Sequence, residues 1–202
     1  MYLTAVLDTS REKTTGELTF QNLLSWKGAP TAAEIKADPE LGFRHFREMG
    51  AQFAEPYRVA AESVVEGTKL YADQGTQWDP RPHHSVTLDP ETSRPTSTKW
   101  NNRSFAGTVT LAGDAAHAML PHRGQGLNNG LEDAAKLVSA LTGMLKNGGE
   151  GRLEEVIAVY EEEMVRRGGG EVEMTEKAAK AAHDWDLLMQ SPIFKHGANK
   201  VR

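Results

Sequence analysis

Residues 107 to 146 place the strongest constraint on what this chain can fold into. Gly107-Thr-Val-Thr-Leu-Ala-Gly113 is a short, mostly apolar run. Runs of that kind form strands buried in parallel sheets. It ends in Gly113-Asp114-Ala115-Ala116-His117, and a loop follows from Ala118 to Gly126. Leu127, Leu131, Ala134, Val138, Leu141 and Leu145 then recur at spacings of three and four. That period predicts a helix with this stripe buried, ended by Asn147-Gly148-Gly149. A strand, a turn and a helix in this order form the carboxyl edge of an open α/β sheet, where such sheets bind ligands.

The residue types in this unit suit a particular chemistry. Asp114 at the strand end can accept hydrogen bonds from sugar-like hydroxyls, and Gly113 lets the backbone pass close to a ligand. Arg123-Gly124-Gln125-Gly126 opens the helix. Its two glycines let main-chain N–H groups point at a bound group, and the helix start adds partial positive charge. A ribityl chain leading to an isoalloxazine ring needs both features, because the ring's pyrimidine edge becomes negative on reduction. Each feature alone is common in ordinary junctions; their combination at this spacing, with Pro121 before and Asn128 after, is much less so.

The rest of the chain is less informative. Residues 2–8 and 18–26 are β-prone and flank a polar stretch, which predicts two antiparallel strands joined by a long loop. Thr31 and Glu34 form a capping box for a helix over 32–37. Leu41, Phe43, Phe46, Met49 and Phe53 predict an amphipathic helix over 40–54, ended by Pro56. Residues 57–72 are ambiguous, with short strands conceivable at Val64-Val65 and Lys69 to Tyr71. Residues 73–99 carry four of the nine prolines and read as an extended loop. Helices are expected over 152–167, with Leu153, Val156, Ile157, Tyr160 and Met164 buried, and over 171–189, with Gly168-Gly169-Gly170 a break or hinge between them. Pro192 stops the last helix, and 191–202 is a tail.

The 202 residues suit one domain or two small ones, enough for a core without staples. The absence of cysteine excludes disulfides, thiolate metal sites, iron–sulfur clusters and a cysteine nucleophile. A net charge of -5 argues against a nucleic-acid partner. No apolar run approaches the ~18 residues of a membrane span. Met1 to Leu7 lacks the basic stretch and cleavage site of a signal peptide. The expected location is cytoplasmic.

Gly113-Asp114-Ala115-Ala116-His117, Pro121-His-Arg-Gly124-Gln125-Gly126-Leu-Asn128-Asn129 and Glu132-Asp133-Ala134-Ala135-Lys136-Leu137 together resemble the second flavin motif of the class A flavoprotein monooxygenases, the aromatic hydroxylases of the p-hydroxybenzoate hydroxylase type. Trp100-Asn101-Asn102-Arg103 and Thr108 to Ala112 resemble the family's fungal members, as does, more loosely, the hairpin ending at Ser25-Trp26. The resemblance implies an α/β (α+β) fold that is part of a flavoprotein monooxygenase. It implies a remnant of the substrate-binding domain over 1–99 and the carboxyl-terminal part of the FAD-binding domain over 100–190. It implies FAD as cofactor and NAD(P)H as reductant in the hydroxylation of a small aromatic or polycyclic substrate. The cofactor-binding residues it implies are Gly113, Asp114, Pro121, Gly124, Gln125, Gly126, Leu127 and Asn128. Asp114 would contact ribityl hydroxyls, Pro121 would lie beside the ring, and Gly124 to Asn128 would meet its pyrimidine edge. No catalytic residue is singled out.

The family's opening Gly-x-Gly-x-x-Gly unit, which holds the ADP half of FAD, has no counterpart here. Gly124-Gln-Gly126 fails at the third glycine, as does Gly168-Gly-Gly170. The middle Asp-Gly motif is missing too. The expectation is therefore a carboxyl-terminal portion: a shortened product, one piece of a split enzyme completed by another chain, or a reused domain. The alternative is a cofactor-free small-molecule-binding protein, isomerase or cyclase derived from that fold. His83-His84 lacks a carboxylate at ligand spacing, so no metal is expected. His117 reads as packing or capping beside the Gly-Asp turn, and Arg123 as either site-facing or solvated. The four tryptophans read as core or loop anchors. Glu161 to Glu163 with Arg166-Arg167 reads as a solvated helix face.

Overall fold

The computed structural model describes residues 2–8, 19–81, 109–146, 148 and 153–190. The chain divides into two compact units, Met1–Gln74 and Gly75–Arg202. Most described residues in regular structure are helical, and among the described residues one two-stranded sheet occurs.

In the first unit β1 (Tyr2–Asp8) pairs antiparallel with β2 (Thr19–Leu24), from Tyr2 opposite Leu24 to Val6 opposite Phe20. This is the expected hairpin, although β2 stops at Leu24. Trp26 beyond it donates its indole N–H to the Pro30 carbonyl at 3.0 Å. α1 (Ala32–Ala37) starts at the expected capping box. The Glu34 carboxylate accepts the Thr31 N–H at 2.6 Å, and that bond holds its pKa below the usual range. Asp38 caps α2 (Pro39–Gly50) through the Leu41 N–H. Gly50 lies directly against Ala61 of α3 (Tyr57–Glu62), where a side chain would collide. Phe46 and Ala61 form the small core, covered by Leu24, Phe53, Val64 and Leu70. Val64 and Leu70 reach that core from irregular backbone, not from the short strands considered at 64–65 and 69–71.

The second unit is organised by one long helix. α4 (Asp114–His117) is a single turn, followed by a 3-10 turn at Pro121–Arg123, α5 (Gly126–Lys146), α6 (Leu153–Ala182) and α7 (Trp185–Gln190). Ala116, Tyr160 and Met164 form its core with Leu111, Leu137 and Val165. The expected strand at 107–112 is not formed over its described residues, 109–112. A strand exists only through its ladder, and no described segment pairs with this one. Leu111 is held instead by its carbonyl, which accepts the Tyr160 hydroxyl at 3.0 Å.

Two further expectations are corrected. The apolar stripe of α5 faces outward: Leu127, Leu131, Val138 and Leu145 are 75%, 61%, 61% and 69% exposed. The face turned inward is the one bearing Asn129 and Asp133. And no hinge interrupts α6, which runs unbroken through Gly168-Gly169-Gly170. Two of these glycines are sites of close approach. A Cβ on Gly168 would stand 2.5 Å from the His117 ring, and one on Gly169 would collide with the Arg81 side chain. Trp185, expected as an anchor, is largely exposed. The histidine pair 83–84, Trp100 and the tail 191–202 lie outside the described residues.

The two glycine environments separate sharply. Gly168→Ala should destabilise the chain by about 1–3 kcal/mol, because the buried imidazole has nowhere to move. Gly170→Ala, with open space at its Cβ position, should stabilise it by about 0.5–1 kcal/mol through helix propensity. Urea unfolding midpoints of the two variants measure both.

Candidate functional site

The Gly-Asp turn is built on a backbone that few residues adopt. Gly113 has φ 59° and ψ -141°, so a side chain there would be strained. Its Cβ position would lie 3.8 Å from the Gly130 Cα, so two glycines bring the turn and α5 together backbone to backbone. Asp114 begins α4 and is exposed. A Cβ on Gly126 would lie 3.8 Å from its Oδ1, which places the carboxylate beside the start of α5.

The following loop is braced from within. Gly124 is left-handed, with φ 62° and open space at its Cβ position. Gln125 donates its amide to the Arg123 carbonyl at 3.2 Å, and its side-chain oxygen accepts the Asn128 amide at 3.2 Å. Asn129 folds back onto the Gln125 carbonyl. Arg123 pairs with Glu171 of α6 at 3.0 Å. The structure therefore brings Gly113, Asp114 and Gly126 to one place. Gly124, Gln125 and Asn128 lie in the adjoining loop, and Pro121 opens the 3-10 turn before it. The Leu127 side chain is exposed.

Beneath this surface lies a buried polar network not expected from the sequence. Asp133 is fully buried. Its Oδ2 accepts the Gly113 N–H and the His117 Nε2–H, both at 2.7 Å, and its Oδ1 pairs with Arg167. Arg167 also donates to Asn129 Oδ1 at 2.6 Å and to Glu163 at 3.1 Å. Lys136 joins Glu163 at 2.6 Å and Glu132 at 3.0 Å. Burial alone would lower the Arg167 pKa, but Asp133 and Glu163 outweigh it and hold the guanidinium above its ordinary value. Burial likewise opposes ionisation of Glu163, yet Lys136 and Arg167 bring its pKa below the usual range. Burial, reinforced by the Asp133 charge, pushes the Tyr160 phenol up to about 12. His117 is packed beside the Gly-Asp turn, as its packing reading had it. Glu163 and Arg167, expected on a solvated face, belong to this interior. The available signal was weak: Asn129 and Asp133 share a face one turn apart, as do Glu163 and Arg167.

His122 packs edge-on against His183, with ring centroids 5.4 Å apart. Neither His122 nitrogen has a hydrogen-bond partner among the described residues. Among those residues no cluster of three or more His, Cys, Asp or Glu could hold a metal ion. None of their helices is long and apolar enough to cross a membrane.

Residues 82–173 match the family model described as FAD binding domain. The chain is 32% identical over 189 residues to the FAD-dependent monooxygenase cctM of Talaromyces islandicus, covering 90% of this chain and 40% of that protein. It is 38% identical over 178 residues to the FAD-dependent monooxygenase phnB of Penicillium herquei, covering 88% of this chain and 38% of that protein. Over 56 residues, 28% of this chain and 12% of the relative, it is 46% identical to a salicylate hydroxylase of Pseudomonas putida. No solved structure matches. Over most of its length the chain is similar to FAD-dependent monooxygenases. It spans about two-fifths of the length of the first two relatives, which fits the carboxyl-terminal portion expected above.

The residues present fit part of an FAD. The exposed Asp114 carboxylate lies beside Gly126 at the start of a 21-residue helix, and Gly124 in the adjoining loop has open space where a side chain would stand. That pairing suits a polyol and a carbonyl-rich ring edge.

The histidine pair gives a pH dependence. Burial and the neighbouring His183 lower the His122 pKa from its ordinary 6.5. As pH falls through 6.5 the unfolded chain takes up this proton before the folded chain does, so stability is lost on acidification. Urea midpoints measured from pH 7.5 down to 5 should fall, and His122→Gln should fall less steeply across that window.

Proposed function

We propose that this chain forms the flavin-facing, carboxyl-terminal part of an FAD-dependent monooxygenase that hydroxylates a small aromatic or polycyclic substrate, with NAD(P)H as reductant. The observation that carries the reading is the exposed Asp114 beside Gly126 at the start of α5, next to the open Gly124 loop, within a segment matched to an FAD binding domain. When bound, FAD supplies the redox chemistry of oxygen insertion. This chain's residues bind and orient it. Asp114 accepts ribityl hydroxyls, the main chain from Gly124 to Asn128 meets the pyrimidine edge, and Pro121 lies beside the ring on the substrate side. Residues 1–99 contribute to the substrate-binding part, and 100–190 to the FAD-binding part.

The outward apolar stripe of α5 supports a further point. Leu127, Leu131, Val138 and Leu145 form a row that a folded helix normally buries. We take it to be covered by the flavin-binding portion that this sequence lacks, supplied by the same polypeptide or by another chain.

Two measurements test these statements. Asp114→Ala should weaken FAD binding, read by quenching of flavin fluorescence, by about 1.5–3 kcal/mol, the worth of a hydrogen bond to a charged group. Unaltered affinity would remove Asp114 from the site. Val138→Glu should change the stability of this chain alone by no more than about 0.5 kcal/mol. It should abolish co-purification with an amino-terminal flavin-binding portion taken from one of the longer relatives. Undiminished co-purification would rule out the stripe as the covered face.

A further inference from the structure

Resting on the flavin-binding reading above, we propose that Asp133 is a positioning residue: its buried carboxylate sets the Gly113–His117 turn in its ligand-binding shape before any cofactor arrives, and thereby aims Asp114. The two groups that share Asp133 Oδ2, the Gly113 N–H and His117 Nε2–H, lie on either side of Asp114 in the chain, each at 2.7 Å. The turn is thus pinned immediately before the functional carboxylate and three residues after it. Among the described residues the Asp114 carboxylate has no hydrogen-bond or ion-pair partner, so of these residues it is those that hold its backbone that set where it points. Asp133 belongs to α5, whose start forms the other half of the site, and Arg167 secures it from α6. One buried carboxylate therefore registers the Gly-Asp turn against the helix start.

A carboxylate is required, not merely a side chain of that size. The three groups aimed at Asp133 are all donors. Asn in its place has one acceptor oxygen and turns an NH2 toward a donor. Asp133→Asn should leave the shape of the core intact and release the turn.

The test begins with the flavin-free 202-residue chain. In Asp133→Asn, exchange of the Gly113 amide should quicken by about tenfold or more, while amides near Met164 and Val172 in α6 change less than about twofold. Unchanged exchange at Gly113, or acceleration shared equally with α6, would overturn the proposal. If Asp133→Asn fails to fold, Arg167→Lys decides by the same selective pattern, since it keeps the charge but loses the guanidinium fork. Flavin fluorescence supplies the second readout. Asp133→Asn should weaken FAD binding by about tenfold or more, and combining it with Asp114→Ala should cost less than the product of the two effects, because one residue acts through the other. Multiplicative losses would overturn the proposal. Failure of the wild-type chain to quench flavin fluorescence would count against the flavin reading, and amide exchange would still decide whether Asp133 sets the turn.

Discussion

The second unit depends on a single buried carboxylate and the three donors turned toward it. Asp133 is surrounded by the Gly113 N–H, the His117 imidazole and the Arg167 guanidinium, which come from the turn, α4 and α6. An unpaired charge at that depth would be strongly unfavourable, and losing one partner of such a pair typically costs about 3–5 kcal/mol. The wider network of Asn129, Glu132, Lys136 and Glu163 spreads the charge toward the surface. A greasy contact would have tolerated sliding. Hydrogen bonds to both carboxylate oxygens do not, so the polar interior fixes the register of the turn against two helices.

The same requirement accounts for the unbroken α6. Three consecutive glycines would ordinarily weaken a helix by about 1 kcal/mol each relative to alanine. At Gly168 and Gly169 that weakness is offset by what comes close: the His117 ring at one and Arg81 at the other. Arg81 is held there by Asp79 and by Glu173 at 3.1 Å. The ion pairs Glu163–Arg167, Glu173–Lys177 and Glu176–Lys180 lie one helical turn apart on either side of the glycines. The helix is thin where other groups need access to its backbone and braced where they do not. Arg123 and Glu171 extend the same strut to the loop after the 3-10 turn. α6 is thereby the common support of every segment in the candidate site.

What was legible in the sequence was local. The capping box of Thr31 and Glu34 follows from neighbouring residues and appears as read, and the hairpin expected from 2–8 and 18–26 forms with its second strand shortened to 19–24. The Gly-Asp turn followed by a helix was also readable, because glycines at positive φ and the start of α5 are properties of short segments. The Asp133–Arg167 pair was not, since 34 residues separate its members and neither announces the other. The glycine triplet was misread for the same reason. Its cause sits on His117 and Arg81, far away in the chain. Residues 109–112 show the limit from the other side, because an apolar run becomes a strand only when a second segment offers a ladder.

The orientation of α5 ties these points to function. Its 3–4 periodicity correctly marks one face as apolar, but periodicity cannot say against what that face packs. Within this chain the helix turns its polar face inward, because Asp133 must meet Gly113, His117 and Arg167. The apolar face is left outside. A helix that spends its polar side on its own unit and keeps its leucines free has two partners to satisfy. The first is α6, through ions. The second, on the reading proposed above, is apolar and broad enough to cover a stripe running from Leu127 to Leu145. Since that stripe starts at the loop proposed to meet the flavin ring, covering it and completing the cofactor site would be one event. Similarity to proteins more than twice as long, and the proposed fit to part of an FAD, then have a single physical origin in the two faces of α5.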